Sequence, residues 1–296
     1  MKQLYVIAGP TAVGKTATAI ALAQQLGTDI ISADSRQCYR EMNIGVARPS
    51  EAELAAIKHY FIASHSITAP VTAADFEQLA LGWLDQIFEE KESAVVCGGT
   101  GLYIKALCEG LDEMPAVPQE VKVALQAEFT EKGLAWLQQA VAAADPLFAA
   151  GGEMQNPARL LRALSFWRAT GQSIVAYRSG RVKQRPFQII KVALDLPRPL
   201  LYERIGLRVN QMMEAGLLEE VKQLLPYKGL SPLQTVGYQE LFDFLEGRLD
   251  LPAAVDLIAR HTRNYAKRQL TWLRKDPQYH WLPANMPELS NVIRQL

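Results

Sequence analysis

Leu4-Tyr5-Val6-Ile7-Ala8-Gly9-Pro10-Thr11-Ala12-Val13-Gly14-Lys15-Thr16 decides the fold. Residues 4–8 are a short apolar run ended by Gly-Pro, which reads as a buried strand. Lys15 to Leu26 follows with Ala17, Ile20, Ala21 and Ala23 at burial spacing, a helix. Between them Gly9–Thr16 fits G-x-x-x-x-G-K-[ST]. In that context the glycines let backbone N–H groups wrap a phosphate, and the helix N-terminus adds partial positive charge. Gly9, Pro10, Thr11, Ala12, Val13, Gly14, Lys15 and Thr16 are the expected phosphate-binding set. Lys15 would neutralise phosphate oxygens, and the Thr16 hydroxyl is the candidate Mg²⁺ ligand.

Outward from this loop, Ile30-Ile31-Ser32-Ala33 and Ala94-Val95-Val96-Cys97 read as further strands, ended by Asp34 and by Gly98-Gly99. Asp75 to Glu90 between them is an amphipathic helix. Strand–helix alternation predicts an α/β fold, a P-loop NTPase-like parallel sheet flanked by helices. Its ligand side is the carboxyl ends of the strands, where Gly9, Asp34 and Gly98 all fall. From Pro115-Ala116-Val117-Pro118 strand signals vanish and the pattern turns helical, with Asn156-Pro157 a helix start. Residues 115–185 are therefore expected to be an inserted all-helical domain. The catalytic core would comprise 1–114 and 186–296, with one strand at 189–194 and mostly helices from there to about Trp281.

Composition narrows the function less. The 296 residues are 49% apolar, and 31 basic side chains balance 31 acidic ones. Zero net charge argues mildly against nucleic acid, but local patches matter more. Leu257 to Lys275 contains no acidic residue and carries Arg260, Arg263, Lys267, Arg268, Arg274 and Lys275. On a helix Arg260, Arg263, Lys267 and Arg274 fall near one face, a stripe suited to tracking RNA phosphates. Tyr265 and Trp272 in the same stretch could stack on bases or pack, and packing is the expectation. Cys38, Cys97 and Cys108 follow no metal-ligand spacing and suit a reducing cytoplasm. The four histidines show no ligand spacing. No run approaches a membrane span, and a monomer in the cytoplasm is the expectation.

The loop alone leaves a nucleotide-binding, ATP-dependent kinase or NTPase open, with Asp34 as its metal carboxylate. Kinase signatures are missing, as is an Asp-rich cluster for allylic diphosphates. Ser35, Arg36 and Gln37 after Asp34 are polar and suited to reading a nucleobase edge.

Four stretches together resemble the bacterial tRNA dimethylallyltransferases, or tRNA isopentenyltransferases, of the IPP transferase family. They are Gly9–Thr16, Ile31-Ser32-Ala33-Asp34-Ser35-Arg36-Gln37, Gly98-Gly99-Thr100-Gly101-Leu102-Tyr103 and Lys267-Arg268-Gln269-Leu270-Thr271-Trp272-Leu273-Arg274. Val236-Gly237-Tyr238 and Asn156-Pro157-Ala158-Arg159-Leu160-Leu161-Arg162 add to the likeness, which runs from residue 4 to about 282. The resemblance implies Mg²⁺, dimethylallyl diphosphate as donor, and as acceptor N6 of the adenosine just 3′ of the tRNA anticodon, position 37. It implies Asp34 as general base, Thr100 near the bridging oxygen of the diphosphate, and Lys15 and Arg208 as its stabilisers. Expected tRNA contacts are Asp34, Ser35, Arg36, Gln37, Thr100, Lys122, Ala158, Arg159, Leu160, Leu161, Arg162, Gly237, Tyr238, Lys267, Arg268, Gln269 and Arg274. Ala158 and Gln239 depart from the family pattern, which puts single RNA contacts in question. A close variant would prenylate free adenine nucleotides instead.

Overall fold

The computed structural model describes residues 1–296. Its elements run β1 (Gln3–Ala8), α1 (Lys15–Leu26), β2 (Ile30–Ser32), α2 (Glu51–Ala56), β3 (His59–Tyr60), α3 (Ala73–Glu90), β4 (Ser93–Gly98) and α4 (Gly101–Glu109). Then come α5 (Gln119–Ala144), α6 (Pro146–Gly151) and α7 (Pro157–Thr170). The chain closes with β5 (Gln188–Asp195), α8 (Arg198–Glu214), α9 (Leu217–Leu224), α10 (Tyr238–Leu245), α11 (Leu251–Leu273), β6 (His280–Pro283) and α12 (Leu289–Arg294).

The strands form one six-stranded sheet in the order β3-β2-β4-β1-β5-β6, and every pairing is parallel. Central β1 pairs Ala8 with Gly98 of β4 and with Ala193 of β5, so these strands end level with one another. Leu4, Val6 and Ala8 face one apolar layer while Tyr5 and Ile7 face the other, the period of two expected of a strand covered on both sides. Two strands escaped the sequence reading. Residues 59–60 are too short to show a period, and 280–283 lie at the end of a stretch expected to be mostly helices. The latter is an edge strand, His-Trp-Leu-Pro, and its terminal Pro ends the ladder.

The chain divides into two compact units, 1–110 with 184–296, and 111–183. The second is all helical, where the sequence led us to expect 115–185. Its core is Leu125, Leu137, Val141, Phe148, Leu160, Leu164, Phe166 and Ile174. Asn156 caps α7 through its side-chain oxygen on the Arg159 amide, with Pro157 at the first helical position.

Candidate active site

The phosphate loop leaves β1 and enters α1 at Gly14, whose φ of +109° a side chain would strain. The amides of the first helical turn have no carbonyl four residues back and open toward the loop. Lys15 folds back so that Nζ donates to the Pro10 carbonyl at 2.8 Å. Burial pushes its ammonium down to about 8, and Arg208 adds to this, while Cys97 and Asp34 oppose. Two arginines of α8 flank the loop, spaced i and i+4 on one face. Arg204 donates to the Val13 carbonyl at 3.2 Å. Arg208 is held below its usual value by burial, with Glu53 opposing. A concentration of cations with no carboxylate bonded to them is built for an anionic ligand.

Asp34 stands one residue beyond Ala33, whose carbonyl accepts the Thr100 amide at 3.1 Å. Its Oδ1 accepts the amides of Arg36 at 2.9 Å and Gln37 at 3.3 Å, which fixes the carboxylate and leaves Oδ2 to the cavity. Thr100 is tied to the same turn: its Oγ1 accepts the Ser35 amide at 3.0 Å and lies 3.3 Å from the Ser35 hydroxyl. Asp34, Thr11, Arg36, Arg208, Tyr265 and Arg268 share a cavity of about 350 Å³. Ile205, Val209, Met212 and Ile258 give it an apolar wall. The size lies in the range of small-molecule sites, about 300–1,000 Å³. It joins an ionic end, a carboxylate and a hydrocarbon wall, which suits an amphiphilic ligand.

α11 closes this cavity from above. Gln269 Oε1 accepts the Thr11 amide at 2.8 Å, and its Nε2 donates to the Gly99 carbonyl at 2.9 Å. A side chain at Gly99 would put Cβ 2.2 Å from Gln269 Nε2 and push that amide off the Gly99 carbonyl. Tyr265, on the same face, is pushed up to about 12 by burial, with Asp34 adding to the rise and Arg36, Arg268 and a bond to Thr100 opposing. It lines the cavity instead of merely packing. Trp272 lies over Gly101 and is 40% exposed.

Several expected RNA contacts change role. Gln269 is only 7% exposed, and its amide is bonded to the loop and Gly99, so it clamps the protein. Gln37 spends its amide nitrogen on the carbonyls of Val46 and Ala47 and positions that cavity-lining loop. Tyr238 is buried with its hydroxyl on Glu220 at 2.6 Å, and Leu160 is in the core of the helical unit. Helical periodicity cannot separate such residues from exposed neighbours when both faces of a segment are used. Arg36 and Arg268 line the cavity. Ser35 is bound into the Thr100 turn. Gly237 precedes α10 and lines the cavity. Lys267 on α11 and Arg274, which caps its carboxyl end, are exposed. In the helical unit Lys122, Ala158 and Arg162 are exposed and Leu161 is half-buried; Arg159 is exposed but paired with Glu153 at 2.6 Å. Burial pushes the Cys97 thiol up to about 11, so it stays protonated.

The IPP transferase family model matches residues 37–276. A tRNA dimethylallyltransferase of Christiangramia forsetii is 44% identical over 275 residues, 93% of this chain and 91% of its own. One from Cytophaga hutchinsonii is 41% identical over 293 residues, covering 99% and 96%. Among solved structures, the tRNA isopentenylpyrophosphate transferase of Bacillus halodurans superposes with a TM-score of 0.72 at 33% identity, over 100% of this chain and 94% of its own. The sheet with its phosphate loop, the carboxylate fixed just beyond β2 and this near full-length likeness agree: the chain belongs to the IPP transferase family.

Proposed function

We propose that the chain transfers a dimethylallyl group from dimethylallyl diphosphate to N6 of the adenosine at position 37 of tRNA, giving N6-dimethylallyladenosine and diphosphate. The reaction is a substitution at the allylic C1. The bond from C1 to the bridging oxygen breaks as the bond from N6 to C1 forms, and N6 loses one proton.

The observation that carries this reading is the free Oδ2 of Asp34 opening on the same cavity as Arg208 and the phosphate-loop residue Thr11. Charge gathers on the departing diphosphate, so its stabilisation is the larger demand. The loop amides, Lys15 and Arg208 supply fixed positive charge there, and Thr100 is hydrogen-bonded to Ser35, the residue after Asp34. The Thr16 hydroxyl with diphosphate oxygens is a donor set that fits Mg²⁺, which keeps few protein ligands when phosphates complete its shell. When bound, Mg²⁺ supplies further neutralisation of the leaving group. Asp34 accepts a hydrogen bond from the N6 amine and takes its proton, and its two backbone amide bonds keep it aimed. The wall of Ile205, Val209, Met212 and Ile258 fits the hydrocarbon tail and excludes water that would otherwise capture the allyl group.

An adenine must leave its stack to enter such a cavity, and an unpaired loop makes that inexpensive. Arg36, Tyr265 and Arg268 are the polar and planar groups that would meet it. The exposed Lys267 and Arg274 of α11, with Lys122, Ala158, Arg159 and Arg162 of the helical unit, are the proposed contacts to the rest of the anticodon arm. The proposed setting is a monomer in the cytoplasm, where tRNA is found. No helix is long and apolar enough to cross a membrane.

The test is incubation with Mg²⁺, labelled dimethylallyl diphosphate and either unmodified tRNA or AMP, with ATP hydrolysis followed in parallel. Label in tRNA is expected. Label in AMP alone would move the acceptor to free nucleotides, and ATP turnover without label transfer would favour a kinase or NTPase.

A further inference from the structure

A second and larger cavity, about 990 Å³, lies on the other side of α11. It opens at the carboxyl ends of β5 and β6, the side of the sheet where ligands of α/β folds gather. The two cavities take different faces of one helix. Thr262, Tyr265 and Arg268 line the Asp34 cavity, whereas Lys267, Thr271 and Arg274, at i, i+4 and i+7, line this groove.

The groove is both cationic and planar. Arg198, Lys267 and Arg274 line it against a single carboxylate, Asp195, which lies 3.8 Å from Arg274. The Arg198 guanidinium sits 5.1 Å from the Tyr202 ring centre, and that of Arg274 sits 5.8 Å from Trp281. Burial is the largest single influence on the Tyr202 phenol and raises it, but the hydrogen bonds and charges of Arg198 and Lys267 together outweigh it and hold the phenol below its usual value. Its surroundings are therefore positive. Aromatic rings and guanidinium planes beside phosphate-binding cations are what a single-stranded nucleotide needs: a face to stack on and a charge for its backbone. None of these groups is needed for the prenyl transfer itself.

We propose that this groove is a second nucleotide subsite, which holds one unpaired nucleotide flanking the target adenosine, its base on Trp281 or Tyr202 and its phosphate on Lys267, Arg198 or Arg274. The proposal rests on the reading of tRNA as acceptor and deepens it. An α-helix with side chains is about 10–12 Å across. A base turned into the Asp34 cavity therefore leaves its chain neighbour close to the far side of α11. α11 acts as a ridge that parts two consecutive nucleotides, so the loop is splayed by the shape of the protein.

The experiment compares kcat and KM for anticodon stem-loop RNAs in which each loop nucleotide in turn is made abasic. The enzymes are the wild type, Trp281→Ala, Trp281→Phe, Tyr202→Ala and Arg198→Ala, with thermal melting and donor KM as fold checks. For one flanking position, base removal is expected to raise the wild-type RNA KM about tenfold or more, with little change in kcat. Trp281→Ala or Tyr202→Ala should raise KM for the intact loop by a like factor and make it indifferent to that abasic site, while Trp281→Phe keeps most of the sensitivity. If every abasic RNA loses the same factor with all the variants as with the wild type, the groove holds no base and the proposal is overturned. A wild-type enzyme that labels no RNA is a separate result, which removes the acceptor reading and this proposal with it.

Discussion

The side-chain oxygen of Gln269 accepts the backbone N–H of Thr11 at 2.8 Å, which fastens α11 to the phosphate loop. The same amide holds the Gly99 carbonyl at 2.9 Å, so one side chain spans the tips of β1 and β4. Gln269→Leu keeps the bulk and removes both bonds, leaving the Thr11 N–H and Gly99 C=O without partners. Each such loss costs about 1–3 kcal/mol. The expected result is a melting temperature several degrees lower and a fall of about tenfold to a hundredfold in kcat/KM for the donor. A donor kcat/KM equal to that of the wild type would deny the clamp any part in shaping the loop.

Asp34→Ala removes the proposed base and leaves the phosphate-loop groups in place. Turnover is expected to fall by about 10²–10⁴, the worth of a well-placed base. Donor affinity, measured by calorimetry without RNA, should stay within about twofold. Unchanged turnover would take Asp34 out of proton transfer.

Lys15 titrates near 8 in the free protein because burial disfavours its charge. Above pH 8 it loses its proton while an unfolded lysine keeps one up to about 10.4, so native stability gains from this group as pH rises across that window. Affinity for the diphosphate moves the other way and should weaken as pH climbs past 8. Donor binding at pH 8.5 should take up a proton, seen as a dependence of the calorimetric heat on the ionisation enthalpy of the buffer. Lys15→Met should abolish that dependence.

Glu220 organises the loop that lines the cavity. Its carboxylate accepts the amides of Asn43, Ile44 and Gly45 at 3.0, 2.8 and 3.0 Å, and the Tyr238 hydroxyl at 2.6 Å. Glu220→Gln turns one of the two acceptors into a donor facing N–H and O–H groups. A loss of about 2–4 kcal/mol is expected. Urea denaturation would read it as a lower midpoint with an unchanged slope.

The basic stretch of α11 predicts salt-sensitive tRNA binding. Reversing two charges, Arg260→Glu with Arg263→Glu, should weaken tRNA affinity and flatten its dependence on salt, since each unpaired-loop phosphate no longer neutralised by the protein reduces the log–log slope by about 0.7. Donor affinity should not follow. An unaltered tRNA affinity would mark this face as merely solvated.

The fold and the candidate site groups were legible in sequence because local rules fix them. A strand, a glycine loop and a helix read in order from residues 4–26, and Asp34 and Thr100 each sit directly after an apolar run whose end defines a strand tip. What the sequence could not decide was which polar side chains of those motifs face a ligand and which hold the protein together. Gln37 and Gln269 look like Arg36 and Arg268 in a string of letters, yet the glutamine amides are consumed by backbone partners 9 to 258 residues away. Long-range hydrogen bonds have no local signature.

By itself, then, the sequence determined the phosphate cradle, the parallel sheet and the carboxylate beside it, since each follows from periodicity and turn chemistry within some thirty residues. Only the tertiary structure decided that α11 lies across the strand tips, that Tyr265 enters the cavity, and that Trp281 and Tyr202 flank a second one. Those placements depend on packing helices from the end of the chain onto a loop near its start, and contact between segments so far apart is set by the shape of the whole core.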